Sequence, residues 1–235
     1  MNKMAMFVEG STETAFVDML IQEVASKNAI TISKRRIRGG ATVPCKIELI
    51  NAVSPATKSE HFVLIYDCGG DASVKPRMLD QYKSLTTFGG YSSIVCLRDV
   101  YPGTASDVRT IEMHLPRCVP TKPVKVDFIL AIMEIEAWFL AEHTHFERID
   151  SKLSCDVIRS AYGFDPRVDD MMLRPHPAKD LSSCYGLVGK AYRKGDVSQL
   201  SALDFSTLYL SVVDRFPYLK RLCDVIDHFL TSPSV

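Results

Sequence analysis

Short apolar runs, each followed by an acidic residue, recur along the first half of the chain. They are residues 4–8 before Glu9, residues 62–66 before Asp67, residues 94–97 before Asp99, and residues 128–133 before Glu134 and Glu136. Short β-branched and apolar runs of this kind are typical of buried strands in a parallel sheet. Because ligands bind outside the carboxyl ends of such strands, these acids are predicted to converge on one edge of the sheet.

Amphipathic segments between these runs predict helices that cover the sheet. Phe16, Leu20 and Val24 recur at i, i+4 spacing and predict a helix that begins near Glu13. Further helices are predicted at residues 46–52, 77–84, 106–114 and 135–142, and a further strand at residues 31–37. The predicted fold class is therefore α/β, with a mostly parallel sheet flanked by helices.

The character of the chain changes near residue 144, where apolar runs give way to amphipathic helical segments. Prolines at positions 166, 175 and 177 interrupt this second part, and residues 202–230 are predicted to be helical. We therefore expect an α/β domain at residues 1–143 and a helical C-terminal extension at residues 144–235.

Composition narrows the functional classes. The 235 residues carry 28 Lys plus Arg and 28 Asp plus Glu, so the formal net charge is zero and a chain-wide basic coat is excluded. Any affinity for nucleic acid must then come from local clusters of basic residues. Seven cysteines without CxxC spacing, no signal-peptide pattern and no apolar segment of about 20 residues predict a soluble, cytoplasmic protein that does not insert into membranes.

Carboxylates are the candidate chemical groups. Glu9 combines a strand end, a following glycine and a helix start, whereas Glu13 either points to the same edge or serves the helix dipole. Asp99 is expected at the edge, and Asp67 is a weaker candidate in a loop rich in Asp and Gly. Carboxylates that lie together repel one another unless a proton or a hard cation neutralises them, which predicts a Mg²⁺ or Mn²⁺ site and phosphate chemistry.

Glu134 and Glu136 are two residues apart. Since residues two apart do not share a helix face, we expect at most one of the two to face this edge.

Two clusters of basic residues could contact phosphates. Lys34, Arg36 and Arg38 alternate along the predicted second strand and so lie on one side of it, either as a phosphate-contact row or as a charged, solvated edge strand. A second cluster surrounds Tyr192, an aromatic residue that could stack on a base, and it includes Lys194.

Six short motifs resemble a known family in their order along the chain. They are Val8-Glu9-Gly10-Ser11-Thr12-Glu13, Gly39-Gly40, Asp99-Val100-Tyr101, Glu134-Ile135-Glu136-Ala137-Trp138, Pro177-Ala178-Lys179 and Tyr192-Arg193-Lys194. The opening motif, followed by parallel strands with a terminal Asp, resembles the TOPRIM domain of topoisomerases, primases and overcoming-lysogenization-defect nucleases. The whole set is similar to a compact TOPRIM-like family of bacterial anti-phage loci.

This resemblance implies a TOPRIM-like sheet and a metal-dependent nuclease effector in which Glu9 and Asp99 hold Mg²⁺ or Mn²⁺. The substrate would be RNA, such as the transfer RNA attacked by the TOPRIM effector of the PARIS system, or DNA. The residues implied in nucleic-acid contact are Arg36, Arg38, Lys179 and Lys194. Relatives are often encoded beside an ABC- or AAA-type ATPase, which is the expected partner, and an exposed sheet edge could pair two copies into a homodimer.

One departure from the family pattern keeps alternatives open. TOPRIM sites usually carry Asp-x-Asp, and this chain has Tyr101 where the second Asp would stand. Asp67, Glu136 or Glu13 would then complete the metal shell, or catalysis is lost. The main alternative is a non-catalytic TOPRIM-like subunit that binds and regulates a partner ATPase, and a weaker one is a metal-dependent phosphoesterase acting on a small molecule.

Overall fold

The structure is a computed structural model that describes residues 1–26, 28–40, 43–55 and 59–232, apart from the side chain of residue 71. Within them one sheet has six strands: β1 (Asn2–Val8), β2 (Ile30–Arg38), β3 (Lys46–Val53), β4 (His61–Asp67), β5 (Ser93–Asp99) and β6 (Val126–Ala131). Their order is β3-β2-β4-β1-β5-β6, and every neighbouring pair is parallel except β2 and β3. The predicted α/β class with a mostly parallel sheet is confirmed.

Helices cover the sheet and form the C-terminal part of the chain. They are α1 (Ser11–Ala25), α2 (Asp71–Lys83), α3 (Val108–His114), α4 (Glu136–Ala141), α5 (His145–Ile149), α6 (Cys155–Tyr162), α7 (Pro177–Gly186), α8 (Val197–Leu200), α9 (Phe205–Leu210) and α10 (Pro217–Thr231). A π-helical turn at Ser84–Phe88 continues α2. Short 3₁₀ turns lie at Ala105–Asp107, Met171–Leu173 and Val212–Arg215.

Side-chain alternation along β1 gives the sheet two buried faces. Met4 and Met6 belong to the core on the side of α1 and the C-terminal helices, and Ala5 and Phe7 belong to the core on the side of α2. Because successive residues of a strand point to opposite faces, a strand that is covered on both sides must be apolar throughout. This is why the apolar runs in β1, β4 and β5 lack a polar alternation.

The C-terminal helices share the first of these cores with the sheet. The ring of Phe16 in α1 lies 5.7 Å from that of Trp138, 5.3 Å from that of Phe139 and 5.6 Å from that of Phe205 in α9. The predicted helical extension is therefore present and packs directly on the α/β part. The boundary near residue 144 stays a prediction, because one continuous core lies on both sides of it.

The helix predicted at residues 46–52 is wrong. This segment is the strand β3, which pairs antiparallel with β2 at the edge of the sheet. Its side chains are mostly exposed because β3 lies at the edge of the sheet, where neither face is covered. The segment therefore lacks the alternation of buried and exposed residues by which a strand is recognised. Pairing with β3 gives hydrogen-bond partners to the outer side of β2, and the β-branched Ile47, Ile50 and Val53 favour a strand.

Within the ranges given above, no helix is both long enough and apolar enough to span a bilayer.

The aromatic cluster around Phe16 predicts a large loss of stability on truncation. Phe16 is 0% exposed and Phe88 is 80% exposed. We expect Phe16→Ala to lower the free energy of unfolding by about 3–5 kcal/mol, because it removes buried apolar surface and leaves a cavity. Phe88→Ala is the control and should change it by less than about 0.5 kcal/mol. Urea unfolding followed by circular dichroism measures both, and equal effects would contradict this assignment of the core.

Candidate metal centre

Parallel pairing brings the ends of β4, β1 and β5 to one edge of the sheet. Val8, the last residue of β1, pairs with Asp67 on β4, and β5 on the other side ends at Asp99. The carboxylate of Glu9 accepts a hydrogen bond from the backbone N–H of Asp99, with 2.6 Å between Oε1 and the nitrogen. Glu9 and Asp99, which are distant in the sequence, therefore lie in direct contact.

Asp99 also connects the sheet to the next turn of the chain. Its Oδ1 accepts a hydrogen bond of 3.0 Å from the backbone N–H of Ile135, and its side chain is buried. Ile135 immediately precedes α4, so this bond fixes the start of that helix against the end of β5. Asp99 is thus held through both its backbone and its carboxylate.

Glu134 and Glu136 both reach this edge, so the expectation that at most one would face it is wrong. The rule that residues two apart cannot share a face applies within a helix, and α4 begins only at Glu136. Glu134 lies in the preceding turn, where Met133 has a φ of 63° and redirects the backbone. The oxygen atoms that Asp99, Glu134 and Glu136 can offer all lie within 4.8 Å of one another.

Two side chains from the C-terminal part complete the surroundings of these acids. The Nζ of Lys194 donates to Oε1 of Glu134 at 2.9 Å and lies 3.6 Å from Oε1 of Glu136. The hydroxyl of Tyr192 donates to the same Glu136 oxygen at 2.8 Å. The sequence suggests Tyr192 as a base-stacking residue, but its hydroxyl bonds this carboxylate instead.

Gly195 explains how this segment approaches the start of α1. Its φ is 79°, in the left-handed region that disfavours side chains, and a Cβ at this position would collide with the hydroxyl oxygen of Ser11. The glycine thus allows the neighbouring Lys194 to sit close to the sheet edge.

One oxygen of Glu136 is the strongest indication of a ligand. Glu136 is 0% exposed, and among the described residues its Oε2 has no hydrogen-bond partner. A buried polar atom without a partner is costly, so a proton, a cation or a buried water is expected at this atom. Three carboxylates within reach of one point are the oxygen-only ligand set that Mg²⁺ and Mn²⁺ bind. The residues present therefore fit a divalent metal.

The pKa values of these acids are shifted as expected for buried, mutually repelling groups. Burial, followed by the charges of Glu9, Glu13 and Glu136, raises the pKa of Asp99 well above its usual range. Burial also raises the pKa of Glu136, although Lys194 opposes the change. Burial disfavours the charged form of Lys194, but the carboxylates outweigh it and raise its pKa.

Glu13 caps the helix and also faces the acids. Its Oε2 accepts a hydrogen bond of 2.9 Å from the backbone N–H of Gly10, which satisfies one of the free donors at the start of α1. Burial raises the pKa of Glu13 to about 7, and the charge of Glu136 adds to the rise. Glu13 is therefore both a helix-start residue and a member of the acidic edge, as the two interpretations of the sequence proposed.

Asp67 lies at the same edge but is held by other groups. Its Oδ2 accepts a hydrogen bond of 2.7 Å from Nε of Arg36, and its Oδ1 accepts one of 3.1 Å from the N–H of Gly69. The structure therefore pairs Asp67 with an arginine and brings Glu134, rather than Asp67, to Asp99 and Glu136.

The predicted phosphate-contact residues do not form one row. Arg36 bonds Asp67, and Arg38 lies 3.4 Å from the carboxylate of Glu48 on β3. Lys34 pairs with the carboxylate of Asp18 on α1. Lys194 contacts Glu134 and Glu136, and the exposed Lys179 lies in the first turn of α7, next to Ala178, whose backbone bonds Glu134.

The sequence patterns missed three contacts that shape the centre. The backbone N–H of Ala178 donates to Oε2 of Glu134 at 3.0 Å, so the start of α7 also holds this carboxylate. The periodicity of apolar residues does not predict this contact. It also does not predict that both Glu134 and Glu136 reach the edge, or that Tyr192 bonds Glu136. The residues involved, Glu134, Glu136, Ala178 and Tyr192, all belong to the short motifs, which are the one feature of the sequence that groups them.

Comparisons with known proteins leave the family open. No protein-family model and no curated protein matches the chain. Two solved structures are similar in part: a hypothetical protein from Pyrococcus horikoshii OT3 (16% identity, 94% of this chain and 99% of that one, TM-score 0.41), and the "putative cell surface hydrolase" from Lactobacillus plantarum WCFS1 (14% identity, 99% of this chain and 94% of that one, TM-score 0.33). TM-scores below 0.5 do not establish a shared fold or function.

The raised pKa of Glu13 predicts a pH dependence of stability in metal-free protein. Its pKa is about 7 in the folded chain against 4.5 ordinarily, so the folded state holds a proton that the unfolded state releases. Stability contributed by this group is therefore full below about pH 4.5 and is lost as the pH rises to about 7. We expect Glu13→Gln to remove this loss, which amounts to a few kcal/mol at pH 8.

Urea unfolding in EDTA between pH 4 and 8 measures the effect as the difference between the variant and wild type. Groups distant from Glu13 cancel in this difference, which contains the titration of Glu13 and the effect of its charge on Asp99. Glu147→Gln, at an exposed position of α5, is the control and should keep the wild-type profile. Profiles of wild type and Glu13→Gln that run parallel across this pH range would refute the assignment.

Proposed function

We propose that this protein is a metal-dependent nuclease that hydrolyses phosphodiester bonds with Mg²⁺ or Mn²⁺. The observation that carries the proposal is the convergence of Asp99, Glu134 and Glu136, together with the buried Glu136 oxygen that lacks a hydrogen-bond partner among the described residues. Buried acids that repel one another are stable together only with neutralisation, and a divalent cation provides it.

The three converging acids would hold the cation, and Glu9 beside Asp99 would hold metal or transfer a proton. When bound, the metal would neutralise charge that develops on the scissile phosphate and would orient or activate water. Glu9 also keeps the backbone of Asp99 in place through its 2.6 Å hydrogen bond. This contact supports a positioning role that does not depend on which atoms the metal takes.

Lys194 supports phosphate chemistry at this place. Its ammonium contacts the carboxylate of Glu134, and its side chain is 52% exposed, so it can be reached from solvent. A cation beside a metal centre favours an anionic substrate. We assign Lys194 and the exposed Lys179 to contact with phosphates of the substrate, and Arg36 and Arg38 to the more distant parts of the same edge.

A second candidate function is a non-catalytic subunit that binds and regulates a partner ATPase. Tyr101 favours it, since this residue stands where the family pattern has a second aspartate. The convergence of three acids favours catalysis, because a purely regulatory module gains nothing from buried carboxylate repulsion. The defence role, the ATPase partner, a homodimer and the cytoplasmic location rest on the resemblance or on composition, and they remain parts of the proposal.

The test combines metal binding with cleavage. Isothermal titration with Mn²⁺ should show binding to wild type and a loss of at least about 10-fold in affinity for Glu136→Gln, which removes a charged ligand. Labelled RNA and DNA incubated with Mg²⁺ or Mn²⁺ should be cut by wild type and left intact by Asp99→Asn and Glu136→Gln. Glu147→Gln is again the matched control and should behave as wild type.

The outcomes separate the candidates. Metal binding without cleavage of either nucleic acid would favour the non-catalytic subunit, and hydrolysis of a small phosphodiester alone would favour the phosphoesterase. Absence of Mn²⁺ binding to wild type would refute the proposed centre altogether.

A further inference from the structure

Tyr101 is an exposed aromatic residue in the turn that follows Asp99. Tyr101 follows Asp99 by two residues and is 42% exposed. Its backbone N–H donates a hydrogen bond of 2.8 Å to the carbonyl oxygen of Met133, the residue before Glu134. The main chain that carries this ring is therefore fixed to the main chain that carries two of the acids.

A second ring approaches from the other side. The imidazole of His176 lies 5.9 Å from the ring of Tyr101, measured between centroids, at an interplanar angle of 73°. His176 immediately precedes α7, and Ala178 in the first turn of this helix donates its N–H to the carboxylate of Glu134. Both rings are thus connected to Glu134 through backbone contacts. Tyr101 bonds Met133, the residue before Glu134, and His176 precedes α7, whose Ala178 bonds Glu134 itself.

This ring pair is open to solvent rather than part of a core. His176 is exposed, and among the described residues neither ring belongs to the two buried clusters on the faces of the sheet. In an edge-to-face pair, the ring that offers its edge keeps both of its own faces free of its partner. An exposed aromatic surface is therefore formed by the two segments whose backbones bond Met133 and Glu134.

A positive charge accompanies the two rings. Lys179 lies three residues after His176 in the first turn of α7, and its side chain is exposed. An aromatic surface beside a cation is the combination that binds single-stranded nucleic acid, where bases stack on rings and basic groups follow the backbone. A base inside a duplex cannot use such a surface, because neighbouring base pairs cover both of its faces.

We infer that Tyr101 and His176 form a platform on which an unpaired nucleobase stacks, with the adjoining phosphate directed to Asp99, Glu134 and Glu136. This inference rests on the proposed nuclease function and names its substrate class: single-stranded or locally unpaired nucleic acid. It also gives Tyr101, which departs from the family's acidic pattern, a role in substrate selection.

Fluorescence anisotropy of the full chain with labelled oligonucleotides in Ca²⁺ tests the platform. The probes are RNA and DNA single strands of one sequence, the corresponding duplex, and a mononucleotide. We expect Tyr101→Leu to weaken binding of the single strands by about 10-fold or more, because it removes a stacking ring. Tyr101→Phe keeps the ring and should stay within about 2-fold of wild type.

Phe88→Leu is the control, because Phe88 is an exposed aromatic residue that precedes the start of β5, at the opposite end of this strand from Asp99. It should bind the single strands as wild type does. Mn²⁺ affinity should be unchanged in Tyr101→Leu, since the ring is not a metal ligand in the proposed centre.

A second readout reports stacking itself. An oligonucleotide that carries 2-aminopurine should lose fluorescence on binding to wild type and to Tyr101→Phe, because stacking on a ring quenches this base. The loss should be smaller with Tyr101→Leu and with His176→Leu. A purely structural role of Tyr101 would not produce this pattern.

Several results would overturn the platform. They are equal affinity of wild type for duplex and single strand, a mononucleotide bound as tightly as the oligonucleotide, or wild-type binding and quenching in Tyr101→Leu. If wild type binds Mn²⁺ and cuts nucleic acid while Tyr101→Leu is unchanged, the platform alone is wrong. If wild type binds no Mn²⁺, both the proposed function and the platform, which rests on it, are wrong. A preference for RNA or for DNA supports the platform in either case and identifies the source of the base.

Discussion

Neutralisation of buried negative charge is the constraint on which the rest of this structure depends. Asp99, Glu134 and Glu136 bring oxygen atoms within 4.8 Å of one another in a region that is buried from water. Charges so close repel strongly where the effective dielectric constant is low. The chain offsets part of this repulsion with the ammonium of Lys194, the hydroxyl of Tyr192 and backbone N–H groups. A divalent cation would supply the remainder, which is why we assign one here.

The acids at the ends of β4 and β5, the two strands beside β1, have different surroundings. Asp67 at the end of β4 is bonded by Arg36, a neighbour on β2, and so forms a closed ion pair. Asp99 at the end of β5 faces further acids, and burial and their charges raise its pKa. A carboxylate neutralised by an arginine stabilises the fold, whereas one left among like charges is available for a ligand. The difference arises from which residue the adjacent strand presents.

Much of the fold follows from the sequence because the central parallel strands β1, β4 and β5 are mostly apolar and several helices are amphipathic. The runs that end at Asp67 and Asp99 form covered strands with their acids at one edge, as apolar runs of this length predict. β3 was missed because an edge strand with two uncovered faces lacks the alternation that distinguishes a strand from a helix. For such a segment the neighbouring β2 decides the structure, and local sequence does not.

The site was predictable only in part, for a related reason. Strand ends predict that Glu9 and Asp99 meet, since sheet geometry alone brings them together. Glu134 reaches the centre because a turn with a positive φ at Met133 precedes α4, and no periodicity reveals such a turn. Lys194 and Tyr192 arrive through tertiary packing of distant segments.

The late position of Lys194 has a consequence during synthesis of the protein. Glu134 precedes its lysine partner by 60 residues, and the helices that pack around this partner come from the last third of the chain. A growing polypeptide on the ribosome therefore contains Asp99, Glu134 and Glu136 before the compensating ammonium has been made. Until Lys194 has been translated and its segment has packed against Glu134, the nascent chain lacks a complete centre. A hydrolytic activity that depends on this centre would arise only in the finished molecule.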